Sequence, residues 1–252
     1  MSERALFGDL LLAFVALGAA TFVALLFVAA PYGRYLQRGS GLRIRAAAAW
    51  VLMESPAALV PPVTFLLARH PLGFVPWVFL ALWEVHYLYR AFVYPFRRRA
   101  SGPMPVVVVT AGMLFNLVNG YLNGRWTSRF APPLGLDWLT GPGFLGGLCL
   151  VLAGLAVNLH SDQVLLDLRT RGQGGYAIPQ RGLHRLVASP NYLGEVIEWT
   201  GYAVLTGSPA AAAFAFWTAA NLVPRALAHL RWYRRTFPEY PQRRRAIVPF
   251  LL

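Results

Sequence analysis

Seven long apolar stretches dominate this sequence, and they restrict the fold more than any other feature does. The first runs from about Leu6 to Ala30, and the others cover roughly residues 46–68, 73–94, 105–124, 141–166, 187–206 and 208–230. About 20 consecutive apolar residues let a helix cross the hydrocarbon core of a bilayer. Since 57% of the residues are hydrophobic and only 13% are charged, the sequence predicts an all-α integral membrane protein. We expect seven transmembrane helices in a single bundle that forms one domain over residues 1–252.

The arginines predict the orientation of this bundle, because positively charged loops remain in the cytoplasm. All 23 basic residues are arginines. Clusters follow the first, third, fifth and seventh apolar stretches, and they comprise Arg34, Arg38, Arg43, Arg45, Arg97, Arg98, Arg99, Arg169, Arg171, Arg181, Arg185, Arg231, Arg234, Arg235, Arg243, Arg244 and Arg245. The opposite side holds only Arg4, Arg69, Arg125 and Arg129. We therefore expect the N-terminus outside and the C-terminus in the cytoplasm, in the inner membrane of a bacterium or the endoplasmic reticulum of a eukaryote.

Composition and motif spacing exclude several other classes of protein. The single cysteine, Cys149, cannot form a disulfide within the chain, and the Cys and His residues lack the spacing of a zinc site. We expect no metal. The net charge of +13 arises from arginines between apolar stretches rather than on one groove-facing surface. No nucleic-acid partner is therefore predicted.

The stretch Ser189–Trp199 places three polar residues on one side of an otherwise apolar helix. Asn191, Glu195 and Glu198 are spaced four and three residues apart, so they share a helical face. Carboxylates inside a membrane normally face the interior of a bundle and mark a pathway or a site. The alternative is a purely structural role, in which interhelical hydrogen bonds hold the bundle together.

A second polar stripe occurs one helix later. Arg225, His229 and Tyr233 recur every four residues and again share one face. Two complete stripes on successive helices favour a site over structural hydrogen bonds alone. We expect the two faces to meet over one ligand.

Polar residues also interrupt the second and third apolar stretches. Glu54 lies near the start of the second, two residues before Pro56, which we expect to kink or open the helix. Tyr87, Arg90 and Tyr94 fall on nearly one face of the third. Interfacial roles are the alternatives for Glu54 and Tyr94, but Arg90 within this run points to a site.

The fourth and fifth stretches carry amides and one carboxylate. Asn116, Asn119 and Asn123 repeat the spacing of three and four residues, which favours hydrogen bonding to a ligand, although packing is the alternative. Asn158 and Asp162 lie one turn apart at the end of the fifth stretch.

The predicted cytoplasmic loop Leu168–Val187 combines arginines, including Arg169, with glycines and Tyr176. Such a loop is suited to cradle a phosphate-bearing ligand. As a nucleotide signal it is weak by itself. No glycine-rich dinucleotide fingerprint follows a strand, so a Rossmann domain is excluded.

Together these residues resemble the steroid 5-alpha-reductases, a family of membrane enzymes that use NADPH. The similar segments are Glu54–Pro56, His86–Arg90, Phe92–Tyr94, Asn119–Gly120, Asn158–Asp162, Tyr176–Pro179, Asn191–Tyr202, Arg225–His229, Tyr233 and Ala246–Phe250. The last third of the chain is the most specific part. Met53 departs from the pattern, because animal members have glutamine before the glutamate.

The resemblance implies reduction of the 4,5 double bond of a 3-oxo-4-ene steroid, by hydride transfer to C5. Tyr87 and Glu54 would be catalytic: the tyrosine donates a hydrogen bond to the 3-oxo oxygen as charge develops there, and the glutamate orients this donor. NADPH would lie in the cytoplasmic half of the bundle. Its predicted binding residues are Arg90, Tyr94, Asn119, Asn158, Asp162, Arg169, Tyr176, Asn191, Glu195, Arg225, His229 and Tyr233. The predicted partners are the steroid and the lipid bilayer, with the protein a monomer.

Three alternatives remain open from the sequence. An isoprenylcysteine-type methyltransferase that uses S-adenosylmethionine shares part of the C-terminal pattern around Asn191–Glu198. Another lipid alkene, such as a polyprenol or an enoyl thioester, is a second substrate class for a reductase. A non-catalytic lipid-binding protein or transporter is the third alternative, although the chain lacks the inverted repeat that many transporters have.

Overall fold

The computed structural model describes residues 2–28, 35, 41–68, 70–98, 102–171 and 176–252, and these residues are mostly helical. The helices are α1 (Glu3–Phe27), α2 (Ala46–Leu66), α3 (Phe74–Leu88), α4 (Tyr94–Arg97), α5 (Val106–Arg125), α6 (Pro142–Arg171), α7 (Pro190–Thr206) and α8 (Pro209–Thr236). A π-helical segment, Tyr89–Val93, joins α3 to α4, and another, Trp126–Phe130, extends α5. Short 3₁₀ helices cover Leu136–Thr140 and Gly182–Arg185.

Each predicted apolar stretch corresponds to a long helical segment among the described residues. Four of them, α1, α2, α5 with its π-helical extension, and α6, are long and apolar enough to cross a bilayer. The chain is therefore a helical membrane protein. Membrane crossing by α3–α4, α7 and α8 stays a prediction. Arg34, Arg38, Arg69 and Arg99, which contribute to the predicted orientation, lie outside the described residues, as do residues 172–175 of the glycine-rich loop.

A two-stranded antiparallel sheet ties together the chain segments that precede α2 and α5. Strand β1 (Arg43–Ile44) pairs with β2 (Met104–Pro105), with Ile44 opposite Met104. The sequence analysis did not predict these strands, because two residues are too few to show an alternating pattern. They bring the first turns of α2 and α5 to the same end of the bundle, and these two helices then pack along each other.

Helix α2 contains three prolines, yet it continues through Pro56, Pro61 and Pro62 to Leu66. The expected opening at Pro56 does not occur. A proline has no N–H, so the carbonyl four residues earlier loses its helical partner. The carbonyl of Ala57, four residues before Pro61, instead accepts a hydrogen bond of 2.7 Å from Trp83 Nε1. An indole of α3 thus satisfies this carbonyl and ties the two helices together.

The π-helical segment Tyr89–Val93 alters the helical spacing of the polar face that was predicted on the third apolar stretch. Tyr89–Val93 directly precedes α4, where Pro95 has no N–H to offer the carbonyl of Ala91. The N–H of Tyr94 bonds to the carbonyl of Tyr89, five residues back. This wider turn brings Arg90 over Tyr94, with the guanidinium carbon 4.8 Å from the ring centroid.

Glycines allow α6 and α7 to approach until their backbones touch. A methyl group at Gly154 would lie 2.6 Å from the carbonyl oxygen of Gly194, and one at Gly147 would lie 2.7 Å from that of Gly201. Small residues at helix contacts permit such close approach in membrane proteins. The consequence for function is that Asn158 and Asp162 of α6 are held directly against the polar face of α7.

Candidate active site

Arg90 is the centre of a buried charge network between α2, α3, α6 and α7. Its Nη1 donates to Asp162 Oδ2 at 3.3 Å, and its Nη2 lies 3.3 Å from Glu195 Oε1. Its Nε lies 4.0 Å from Glu54 Oε1. Three carboxylates on three helices thus surround one guanidinium, which offsets their mutual repulsion and the cost of burying them.

The opposite side of this network is aromatic and carries a second cation. Arg90 lies over the rings of Trp50 and Tyr94, and Arg98 lies over Trp50 with its guanidinium carbon 4.8 Å from the ring centroid. Arg98 Nε is buried and has no hydrogen-bond partner among the described residues. An unsatisfied buried donor on a cation is a suitable contact for an anionic group.

Amides connect α6 and α7 within the same network. Asn158 Nδ2 donates to the carbonyl of Asn191 at 3.1 Å and to Glu195 Oε1 at 3.2 Å. Asn191 Nδ2 donates to Asp162 Oδ1 at 3.0 Å. The polar face predicted on α7 therefore points into the bundle, as expected for intramembrane carboxylates.

The three asparagines of α5 form a row of hydrogen bonds along the two predicted catalytic residues. Asn116 Nδ2 donates to the carbonyl of Met53 at 2.7 Å and lies 3.3 Å from Glu54 Oε2. One turn further, Asn119 Nδ2 donates to the Tyr87 hydroxyl oxygen at 3.4 Å. Asn123 Nδ2 then donates to Asn119 Oδ1 at 2.9 Å. In this structure the α5 asparagines thus hydrogen-bond to other residues of the protein, among them the two predicted catalytic residues.

Tyr87 also lies beside a buried pair that the sequence analysis did not predict, although it had named Glu198. His86 Nδ1 lies 2.9 Å from Glu198 Oε1, and both side chains are buried. Tyr87 packs on its other side against Trp83, with ring centroids 4.7 Å apart. Aromatic packing and the buried His86–Glu198 contact thus hold the phenol in position.

The stripe on α8 contacts a different part of α7. Arg225 Nη2 donates to the Tyr192 hydroxyl at 2.8 Å, and His229 Nδ1 lies 3.1 Å from Ser189 Oγ. Tyr233 stacks on Tyr240, with centroids 5.0 Å apart. The described contacts therefore join this stripe to the first turn of α7 and to the C-terminal tail. A meeting of both stripes over one ligand stays a prediction.

The remaining predicted residues lie at the end of α6 and in the loop that follows. Arg169 is exposed near the end of α6, and Tyr176, 51% exposed, contacts the ring of Trp232 edge-on. In the same loop, burial lowers the pKa of His184 to about 4, although its Nε2 hydrogen-bonds to the Ser161 carbonyl. At neutral pH this histidine is an uncharged anchor between the loop and α6.

The structure joins seven of the predicted residues in the Arg90 network: Glu54, Arg90, Tyr94, Asn158, Asp162, Asn191 and Glu195. Tyr87 and Asn119 lie alongside. Sequence reasoning assigned no site role to Arg98 or His86, and it placed Glu198 on the polar face of α7 without predicting its pairing with His86. The spacing of Arg90, Tyr94 and Arg98 by four residues was the available signal for Arg98, whereas no local pattern predicts a pair between α3 and α7.

Comparison with known proteins identifies the family. A family model described as 3-oxo-5-alpha-steroid 4-dehydrogenase matches residues 102–252. The chain is 42% identical over 238 residues to 3-oxo-5-alpha-steroid 4-dehydrogenase 1 of Homo sapiens, covering 94% of this chain and 92% of the human protein. It is 40% identical over 256 residues to the same protein of Bos taurus, covering 100% of this chain and 99% of that one. Identity to steroid 5-alpha-reductase DET2 of Solanum lycopersicum is 37% over 255 residues, covering 99% of this chain and 98% of that one. With relatives along its whole length in mammals and in a plant, the chain belongs to the 3-oxo-5-alpha-steroid 4-dehydrogenase family.

Proposed function

We propose that this protein reduces the 4,5 double bond of 3-oxo-4-ene steroids to 5-alpha-3-oxosteroids, with NADPH as the hydride donor. Relatives named as steroid 5-alpha-reductases support the reaction class. The observation that carries the residue assignment is the α5 amide row, which holds Glu54 and Tyr87 on facing helices. The protein is thus an oxidoreductase that acts on a carbon–carbon double bond.

Tyr87 is the hydrogen-bond donor to the 3-oxo oxygen in this proposal. Its own oxygen accepts from Asn119, and Asn119 is oriented by Asn123. The hydroxyl hydrogen of Tyr87 therefore remains available for the substrate. As hydride reaches C5, negative charge moves onto the 3-oxo oxygen, and a positioned donor stabilises that charge.

Glu54 orients this donor and the substrate oxygen. Asn116 holds one carboxylate oxygen, while the other faces Arg90. Its contact with a cation and an amide fixes the carboxylate beside the reacting carbonyl, and C4 is then protonated from water. Met53, at the position where animal relatives have glutamine, contributes its backbone carbonyl to Asn116.

The Arg90 network and the ends of α4 and α6 are suited to hold the cofactor. NADPH supplies the hydride when it is bound. Arg98, with its unsatisfied buried Nε, and the exposed Arg169 would contact phosphate groups. Asn158, Asp162, Asn191 and Glu195 offer amide and carboxylate partners, whereas Tyr176, Arg225, His229 and Tyr233 would hold the remainder of the dinucleotide.

One chain contains every residue assigned to this site, from α2 to α8, the π-helical segment Tyr89–Val93 and the loop after α6. We therefore propose that a single domain acts as a monomer within the lipid bilayer. Light scattering of the active protein in detergent, corrected for bound detergent, measures the number of chains in each particle. A dimer as the smallest active species contradicts the monomer.

The proposed reaction is tested with membranes that contain the protein, incubated with testosterone and either NADPH or NADH. We expect a 5-alpha-reduced product, formed faster with NADPH, and no product from membranes without the protein. Failure to reduce any 3-oxo-4-ene steroid contradicts the substrate class and favours another lipid alkene, such as a polyprenol or an enoyl thioester, as the substrate. Protection of the protein by S-adenosylmethionine, but not by NADPH, favours the methyltransferase alternative.

A further inference from the structure

Glu198 of α7 has one carboxylate oxygen that is paired and one that is not. Its Oε1 lies 2.9 Å from His86 Nδ1, and an ionised carboxylate can only accept, so the imidazole donates this hydrogen bond. Its Oε2 is buried and has no hydrogen-bond partner among the described residues, and only 2% of Glu198 is exposed. A buried acceptor without a partner is costly, and a ligand that supplies a donor or a positive charge relieves that cost.

The charge of Glu198 is not offset by an arginine. Arg90 pairs with the three carboxylates of its network, whereas His86 is the only ion-pair partner of Glu198 among the described contacts. Whichever charge His86 carries, Oε2 keeps part of the negative charge of the carboxylate. Trp199 packs against the His86 ring, with centroids 4.8 Å apart. Since little solvent screens a charge in such surroundings, this part of the bundle favours a positively charged group.

Glu198 lies one turn further along α7 than the proposed cofactor residues. Asn191 and Glu195 precede it on the same face, and the three residues of helix from Glu195 to Glu198 rise about 4.5 Å. Its partner His86 directly precedes Tyr87, and the rings of His86 and Tyr87 meet edge-on with centroids 5.1 Å apart. Glu198 thus follows the proposed cofactor residues along the helix and lies next to the proposed donor to the steroid.

We infer that Glu198 binds the nicotinamide end of the cofactor and favours its oxidised, positively charged form. The inference rests on the proposed function, because it takes NADPH as the hydride donor and Tyr87 as the partner of the steroid. A dinucleotide held at its phosphates by Arg98 and Arg169 has to extend to Tyr87 to meet the substrate. The unpaired Oε2 fits this group, since it can accept from the carboxamide N–H and attract a charged ring.

The role of Glu198 follows from the change in charge during the reaction. Transfer of hydride from a neutral dihydronicotinamide to C5 leaves a positive charge on the nicotinamide ring and a negative charge on the 3-oxo oxygen. Tyr87 stabilises the negative charge in the proposed mechanism. Glu198 stabilises the positive charge, so the two residues act on opposite ends of one charge separation. Glu198 therefore holds the oxidised cofactor more tightly than a neutral side chain would.

Equilibrium binding without steroid tests this role separately from catalysis. Fluorescence titration of the purified protein with NADPH gives Kd for the reduced cofactor, and its displacement by NADP⁺ gives Kd for the oxidised one. Glu198→Gln keeps the size of the side chain and an acceptor for His86 but removes the charge. We expect the affinity for NADP⁺ to fall roughly tenfold relative to that for NADPH, as for one hydrogen bond to a charged group. Adenosine 2′,5′-bisphosphate, which lacks nicotinamide, should bind the parent and the variant equally.

Two further variants separate the charge of Glu198 from its packing. Glu84→Gln is the matched control, because Glu84 Oε1 is also buried without a partner, yet no described hydrogen bond or ion pair joins Glu84 to the Arg90 network. It should keep the parent ratio of the two Kd values. His86→Asn retains a donor to Glu198 and leaves the carboxylate charged, so the ratio is retained or shifts further towards NADP⁺.

An unchanged ratio in Glu198→Gln, or a shift towards NADPH in His86→Asn, overturns the inference. Equal weakening of NADP⁺, NADPH and adenosine 2′,5′-bisphosphate in Glu198→Gln also overturns it, because that result assigns Glu198 to the fold alone. Binding of both cofactors by the parent without reduction of any 3-oxo-4-ene steroid contradicts the proposed function, while the role of Glu198 towards nicotinamide stands.

Discussion

At the scale of single residues, Arg90 supplies the positive charge that allows three carboxylates to be buried inside the bundle. Glu54, Asp162 and Glu195 come from three different helices and converge on its guanidinium. Without this cation, each carboxylate would need a proton or another partner to remain buried. Arg90 is thus the shared cationic partner of these three carboxylates, and the sequence shows it only as an arginine within an apolar run.

Arg90→Leu should lower the free energy of unfolding by about 3 to 5 kcal/mol, the usual cost of removing one partner of a buried charge pair. Denaturant titration in mixed micelles measures this change. Arg181→Leu is the control, because Arg181 pairs with Asp167 at a largely exposed position. Its loss should change stability by less than about 1 kcal/mol. Equal effects of the two substitutions argue against a central role of Arg90.

At the scale of helices, the contact of α6 with α7 sets the alignment of the proposed cofactor residues. Gly154 and Gly194 face each other across this contact. Any side chain there separates the two backbones, and with them Asn158 from Asn191 and Glu195. Misplacement of a functional group by about 1 Å costs on the order of 10²-fold in rate.

Gly154→Ala should therefore reduce kcat/KM for NADPH about 10²-fold, with loss of thermal stability. Gly146→Ala, on the same helix, is the matched control because a methyl group there meets no atom within 4 Å. Steady-state kinetics of both variants in the same detergent measure the difference. If the two alanine variants behave alike, the close approach of α6 and α7 does not position the cofactor residues.

The features that could be predicted from the sequence are those that leave a local pattern in it. Apolar runs predicted the long helices, and spacings of three and four residues predicted that Asn191 and Glu195 share an inward face. The π-helical turn before Pro95, the bond from Trp83 to Ala57 and the pairing of His86 with Glu198 were not predicted. Each depends on a contact between helices or on the missing N–H of a proline, and the spacing of apolar residues along the chain reveals neither. The roles of Glu54 and Tyr87 came from family resemblance, and they stay predictions.

At the scale of the whole molecule, the arginine distribution and the polar sites suggest one direction of insertion. Arg97, Arg98 and Arg169 lie at the helix ends near the Arg90 network, whereas Asn123 lies further along α5. If these ends face the cytoplasm, the proposed cofactor site opens towards the compartment that supplies NADPH.

Reporter fusions test this orientation. A C-terminal fusion should be active only as a cytoplasmic reporter, whereas an N-terminal fusion and an insertion between α5 and α6 should report the opposite side. The physical reason is that arginine-rich loops are retained in the cytoplasm. Detection of the C-terminus outside contradicts the orientation and, with it, the proposed access of the cofactor.

The central claim is that the Tyr87 hydroxyl stabilises charge on the substrate oxygen during hydride transfer. Tyr87→Phe keeps the ring packed against Trp83 and removes only the donor. Single-turnover oxidation of bound NADPH by testosterone isolates the hydride step from slow release of a lipophilic product. We predict a rate about 10² to 10³ times lower than in the parent, the usual cost of losing one donor to a developing oxyanion. A folded variant that binds NADPH and transfers hydride at the parent rate would contradict the account.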